Sequence, residues 1–343
     1  MLDQAAHPGL PAPRPSTSSH RLAPRRHLGS RRTVSILTYA PPPQQIFSDL
    51  LPFLFAILLA TRDSDDGENT TPTTTSAPPF TVKSVDNKGL GAFADRAIGR
   101  GEVLISERPL LVWPTHLSLE EARASIEALT PEARQLYFSL ANAADPSMKM
   151  DPILAIRATN GFNVELPPLP EGMAMAAASS LQPPPTSASF IFPKIARINH
   201  SCSPNADHAM DWSTLKMTVY ATTPITAGDE INIEYTSALI QKPREERQEI
   251  LKRDFGFLCH CRVCSLPEQE SLTSDSRRRE INAIVDVLGE GPAAAGLDRK
   301  MVGKAFERLE SLLELEDYKA MPEFTNQRVS NAYVAYRTMR AQQ

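Results

Sequence analysis

Four cysteines constrain this chain more tightly than any other feature: Cys259, Cys261 and Cys264 in the run CHCRVC, and Cys202 alone in NHSCSPNA. Thiols spaced as C-x-C-x-x-C lie too close for three separate disulfides, and no secretory signal is read ahead of them. The pattern therefore points to metal binding rather than oxidative stapling. Cys202 completes a set of four, and four soft ligands around one ion match a tetrahedral structural zinc site. His260, inside the run, is an alternative ligand, but with a fourth cysteine available it is expected to project outward. Free buried or redox-active thiols are the competing reading. A shared ion would tie the loop after Ile198 to the loop after Phe257 across nearly sixty residues, and would leave no cysteine as a nucleophile.

The 30 prolines are unevenly spread and set the boundaries. Residues 1–79 hold a Pro/Ser/Arg-rich opening, the run Pro41-Pro42-Pro43 and the polar tract DSDDGENTTPTTTSAPP. No helical or strand period survives there, so the region is expected to be disordered. Its exception is the apolar island Ile46–Ala60, which carries Asp49 and Pro52. At about 15 residues it falls short of the roughly 20 that a membrane span needs, and reads as a helix packed on the domain or a peripheral membrane contact. Upstream, Arg14, Arg21, Arg25, Arg26, Arg31 and Arg32 face Asp3 alone. Such a segment is a basic tail, with mitochondrial targeting as the alternative.

From Phe80 the texture changes. FTVKSV, VLISE, LLVW, LKMTVYAT and EINIEY read as short strands, and DNKGLGAF as a glycine-rich turn. Ser118 with Glu121 forms a capping box for a helix to about Leu129. Thr130 with Pro131 starts another, expected to end near Ala144. Glu165 to Ser189 is Pro/Ala/Ser-rich and reads as an insertion. After Pro243, REERQEILKRD is helical, followed by helices at about 277–289, 299–316 and 323–340. In the second of these three, Asp298 is the cap and Phe306, Leu309, Leu312 and Leu313 form a core stripe. The fold class is mainly β with helical inserts, without the strand and helix alternation of a doubly wound sheet.

GLGAF at Gly89–Phe93, NHSCSPNA at Asn199–Ala206, GDEINIEY at Gly228–Tyr235 and the cysteine run, in that order, resemble the SET-domain family of S-adenosylmethionine-dependent lysine methyltransferases. The likeness is nearest to the SET and MYND group and its fungal relatives, without cysteines for a MYND zinc finger. It implies a SET-domain β-fold over 80–266 with an insertion and a post-SET zinc site, then a helical extension over 267–343. By the same resemblance Lys88, Gly89, Leu90 and Gly91 form the loop around the donor's amino-acid end. Asn199 and His200 touch the donor, Asn160 in ATNGF adds a contact, and Phe257 stacks near adenine. Cys202, Cys259, Cys261 and Cys264 hold the zinc.

Tyr235 is the catalytic candidate. Methyl transfer to an amine is an in-line displacement, so the lysine, with an ordinary pKa of about 10.4, must arrive neutral and aimed. Asp229 and Glu230 read as surface acids of a TAGDE turn, Glu234 as a fold contact opposite Tyr235, and Glu107 and Arg108 as structural or channel-lining. Asp207 and His208 are expected near the site surface. The competing reading is a non-catalytic SET module that binds a protein partner. Direct nucleic-acid binding is not expected, since the net charge of −4 comes with no domain-wide basic excess. Expected partners are a protein substrate presenting a lysine, histone or non-histone. The chain is expected to be monomeric, without a transmembrane span, and cytoplasmic or nuclear.

Overall fold

Short β-branched and aromatic segments separated by glycine and proline turns leave little scope for one long sheet, and the chain builds three small ones. The computed structural model describes residues 32–33, 77–85, 88–143, 149–166, 187–212, 214–237, 239–291, 296–322, 324 and 326–341. The apolar segment 46–60 and most of the 1–79 region and the 165–189 insertion lie outside these residues.

The first sheet runs β2 (Phe80–Val85), β3 (Gly89–Ala94), β11 (Glu230–Ile233), β8 (Asn199–His200). The β11–β8 pair is parallel, with Asn232 opposite Asn199 and Ile233 opposite His200. The second is the antiparallel set β4 (Val103–Glu107), β10 (Lys216–Ala221), β9 (Ala206–Asp211). The third runs β1 (Arg32–Thr33), β6 (Phe162–Glu165), β7 (Ser187–Ile191), β5 (Leu111–Pro114).

Three helices cover one flank. In α1 (Leu119–Glu127) the Ser118–Glu121 capping box forms as expected, and α2 (Pro131–Phe138) starts on the Thr130 cap. The second helix stops at Phe138 rather than near Ala144, with the Ser139 amide closing the last turn. The sequence reading missed α3 (Pro152–Asn160), although Asp151 accepts the Ile153 amide and Pro152 opens its first turn. Strand β9 was also missed. It buries Asp207 and His208, which therefore do not lie on the surface.

The C-terminal helices are α4 (Arg244–Phe255), α5 (Glu268–Gly289), α6 (Arg299–Leu315) and α7 (Gln327–Ala341). Helix α5 begins nine residues earlier than expected because its first turns bury Ser271, Ser274 and Asp275 instead of apolar side chains. Phe306, Leu309, Leu312 and Leu313 form a core with Ile281, Val285 and Tyr333, as their spacing predicts. Among the described residues no helix is long and apolar enough to cross a membrane.

The helical core meets the strands at the turn Leu239–Gln241, where Leu239 packs in the central core and Ile240 in the helical one. A buried polar seam holds the junction. Arg278 donates to Glu316 at 2.8 Å and to the Leu239 carbonyl, while Ser274 and Arg277 also reach Glu316. Burial pushes the Glu316 carboxyl up, but the Arg278 charge and the Ser274 and Arg277 hydrogen bonds outweigh it, and its pKa is lowered. Tyr318 donates to Glu234, the fold contact expected on the face opposite Tyr235.

Because the folded-state pKa of Glu316 is lowered, its contribution is present above the ordinary carboxylate range and lost as pH falls through the folded value. Glu316→Gln should therefore lower stability at pH 7 by about 3 kcal/mol, since it leaves the Arg278 charge buried and unpaired. Urea denaturation should show that difference shrinking on acidification.

Candidate functional site

The sheet brings the NHSC segment beside the end of β11. The Ser201 amide extends the parallel pairing by donating to the Ile233 carbonyl at 3.1 Å, which delivers Cys202 just beyond the strand. From the other side, α4 ends on Gly256, whose φ of 78° reverses the chain into the cysteine run. Gln248 clamps that run through both amide ends, donating to the Cys259 carbonyl and accepting from the Cys259 amide, each at 2.7 Å.

The four sulfur atoms lie within 4.8 Å of one another, three buried and Cys261 partly so. Cys202 Sγ is 3.6 Å from that of Cys264 and 4.0 Å from that of Cys259. Ligand bonds of about 2.3 Å imply tetrahedral edges of roughly 3.8 Å, so the residues fit one ion. His260 is exposed and outside the set, as expected. Hydrogen bonding to Cys259 pushes the Cys202 thiol up, whereas the Cys202 and Cys259 hydrogen bonds hold Cys264 down, to about 7. Metal binding to such a cluster would exchange its thiol protons for the cation.

His200 connects this cluster to Tyr235. Its Nδ1 accepts the Tyr235 amide at 3.2 Å, which leaves the proton on Nε2, 3.3 Å from Cys202 Sγ. The ring is 5% exposed and packs 5.4 Å from the Tyr235 ring and 6.1 Å from that of Phe257. Tyr235 donates its hydroxyl proton to the Ile198 carbonyl at 2.9 Å and packs on Phe255 and Phe257. Cys202, His200 and Tyr235 thus form one contiguous path.

A second group lies on the adjoining strands. Gly89 opens β3 with a φ of 76°, and Leu90 points outward. A Cβ on Gly91 would sit 2.9 Å from Asn199 Nδ2, from Glu230 Oε1 and from a Val85 methyl. Asn199 donates to Glu230 Oε1 at 2.7 Å, and Lys88 donates to Glu230 Oε2 at 2.8 Å. Glu230 is therefore no ordinary surface acid. It gathers Lys88 and Asn199, and the turn-like GDE pattern hid it because its side chain faces the glycine loop across the sheet.

Asn160 ends α3. Its Nδ2 donates to the Ala141 and Ile156 carbonyls at 2.6 and 2.8 Å, and its buried Oδ1 has no partner among the described residues. The 139–143 segment also meets Arg197, through Ser139, and the Gly256 turn, through the Ala143 carbonyl. Asn160 consequently sits on the same rim as the turn that leads into Phe257. Glu107 accepts the Lys194 and Ile195 amides, a structural role consistent with its sequence reading. Sequence reasoning also missed Arg247, although it occupies the buried stripe of α4 with Leu251 and Phe255, where an arginine signals a partner.

With this geometry in place, the comparisons can be set beside it: residues 89–236 match the SET domain family, and they form a β-rich SET-domain core. Among curated proteins it is 30% identical over 203 residues to the histone-lysine N-methyltransferase set5 of Schizosaccharomyces pombe, covering 59% of this chain and 56% of that protein. It is also 30% identical over 135 residues to the N-lysine methyltransferase SMYD2 of Rattus norvegicus, covering 39% of this chain and 28% of that one. The match thus spans little more than half the length of set5 and about a quarter of SMYD2. The solved Neurospora SET domain protein DIM-5, a histone lysine methyltransferase, aligns at 16% identity and a TM-score of 0.24, over 47% of this chain and 53% of that one.

Gly91→Ala should force Asn199 and Glu230 apart and cost about 1–3 kcal/mol by overpacking. Gly89→Ala meets open space and should cost only the strain of its positive φ, about 1 kcal/mol. Paired chemical denaturation curves check the order; equal losses would contradict it.

Proposed function

We propose that this chain transfers a methyl group from S-adenosylmethionine to the side-chain amine of a protein lysine. We further read it as a relative of the SET and MYND group without a MYND finger, since all four of its cysteines are drawn into one cluster. The observation that supports the activity most directly is the convergence of Tyr235, His200 and Phe257 at the end of β11, beside the Gly91–Asn199–Glu230 group.

Features of the site fit the donor. Gly89 meets open space where a Cβ would stand, which leaves the loop from Lys88 to Gly91 open to close approach there, and Asn160 offers a buried carbonyl oxygen awaiting a donor hydrogen. With Asn199 Nδ2 committed to Glu230, its Oδ1 is the end oriented to accept from an ammonium group. The His200 backbone is fixed by its pairing with Ile233, and Phe257 offers a half-buried ring for an adenine. When bound, S-adenosylmethionine supplies an electrophilic methyl group on a sulfonium centre.

The remaining work falls to residues of this chain. Tyr235, Phe255 and Phe257 pack on one another as an apolar cluster, and an amine held against it would be desolvated and so shed its proton more easily. The Tyr235 hydroxyl, steered by its bond to the Ile198 carbonyl, fixes the polar edge against which the amine is aimed. No covalent enzyme intermediate is required. Zinc in the four-cysteine cluster is structural in this reading, because all four positions are filled by sulfur. The substrate is a protein lysine, histone or non-histone, met in the cytoplasm or nucleus.

Tyr235→Phe should lower the methyl-transfer rate about 100-fold while leaving donor affinity within a few fold of wild type. Calorimetric donor titration beside a proteome-wide transfer assay checks both. Tight donor binding with no transfer by the wild-type chain would instead favour a non-catalytic module.

A further inference from the structure

The cysteine cluster is met from the helical side by a buried cation. Arg247 is 1% exposed; its Nη1 donates to the Lys242 carbonyl at 2.6 Å and its Nη2 lies 3.7 Å from Cys264 Sγ. Its buried Nε has no partner among the described residues. Nη1 is also 3.9 Å from Asp275 of α5, whose carboxylate accepts the Arg244 amide at the start of α4. Helix α4, the cysteine cluster and α5 thus converge on one guanidinium.

Burying that charge is expensive, and a long hydrogen bond to a neutral thiol does not offset the cost. The surrounding charges sharpen the problem. Arg277 and Arg278 share Glu316, and among the described residues the carboxylate paired with Arg247 is the more distant Asp275. Among the described ion pairs of these helices, three guanidinium groups meet two carboxylates, one short of matching. Four thiolates around a divalent ion carry a net charge of −2, so Arg247 lies beside a centre with negative charge to spare.

We propose that Arg247 is the counter-ion and N–H donor of the metal-bound cysteine cluster, setting how tightly the metal is held and locking α4 and α5 to it. The proposal rests on the metal reading above. Arg247 is a positioning residue: it acts through the Cys264 sulfur. Its planar fork reaches the Lys242 carbonyl and Cys264 at once, a geometry lysine does not reproduce.

The test uses the full chain and zinc itself. Zinc affinity is measured by competition with a chromogenic chelator, and the thiolate environment by the charge-transfer bands of the cobalt-substituted protein. Arg247→Met should weaken zinc binding about 10–100-fold, and Arg247→Lys by a smaller margin of at least about threefold. Both should shift the cobalt bands, because a sulfur that loses its N–H donor becomes a stronger electron donor. Folded variants that hold zinc within twofold of wild type, with unchanged bands, would overturn the proposal and leave Arg247 a helix anchor. Should Arg247→Met fail to fold, Arg247→Lys decides by the same two readouts. A wild-type chain that takes up no zinc would overturn the metal assignment itself, which is a distinguishable result.

Discussion

The meeting of Cys202 with the CHCRVC run is the constraint on which the rest of the site depends. Two segments nearly sixty residues apart must reach one point, and each arrives by a different device: parallel pairing of β8 with β11 on one side, and the left-handed Gly256 turn with its Gln248 clamp on the other. Neither device involves a metal. The backbone by itself brings four sulfur atoms within reach of a single ion, and a bound cation would neutralise the charge of their thiolates.

From that point the geometry propagates in two directions. Through the His200 ring it reaches the Tyr235 backbone, so a displacement of Cys202 is also a displacement of the residue proposed to aim the substrate. Through Arg247 it reaches Asp275 and the α5 helix, whose Arg278 is bonded to Leu239, four residues past Tyr235. The helical extension and the cysteine centre hold the end of β11 from opposite sides. Glu234 completes the arrangement, because strand alternation turns it away from Tyr235 and toward Tyr318.

Much of this was legible from residue order. The CxCxxC spacing with one spare cysteine gave the cluster, the Ser118, Thr130 and Asp298 caps gave three helix starts, and the Phe306–Leu313 stripe gave a core. Helix α3 was missed despite its local Asp151–Pro152 signal, but the missed side-chain roles share a physical cause: they come from partners remote in sequence. Glu230 reads as a turn acid until β11 lies beside β3. Arg247 reads as one of several charges in REERQEILKRD until its stripe is seen to face the cluster. Asp207 and His208 read as surface residues because no local pattern marks β9, whose burial comes from β10 and from the 316–321 segment against it.

The measurement that bears most directly on the proposed joint between metal and donor sites is donor binding with and without the metal. Full-length protein is titrated with S-adenosylmethionine as purified, after zinc is removed by a chelator, and again after zinc is restored. Affinity should fall at least about tenfold on removal and return on restoration, because the His200 link to Cys202 is lost and regained. A folded, metal-free chain that binds the donor as tightly as the zinc-loaded one would contradict it.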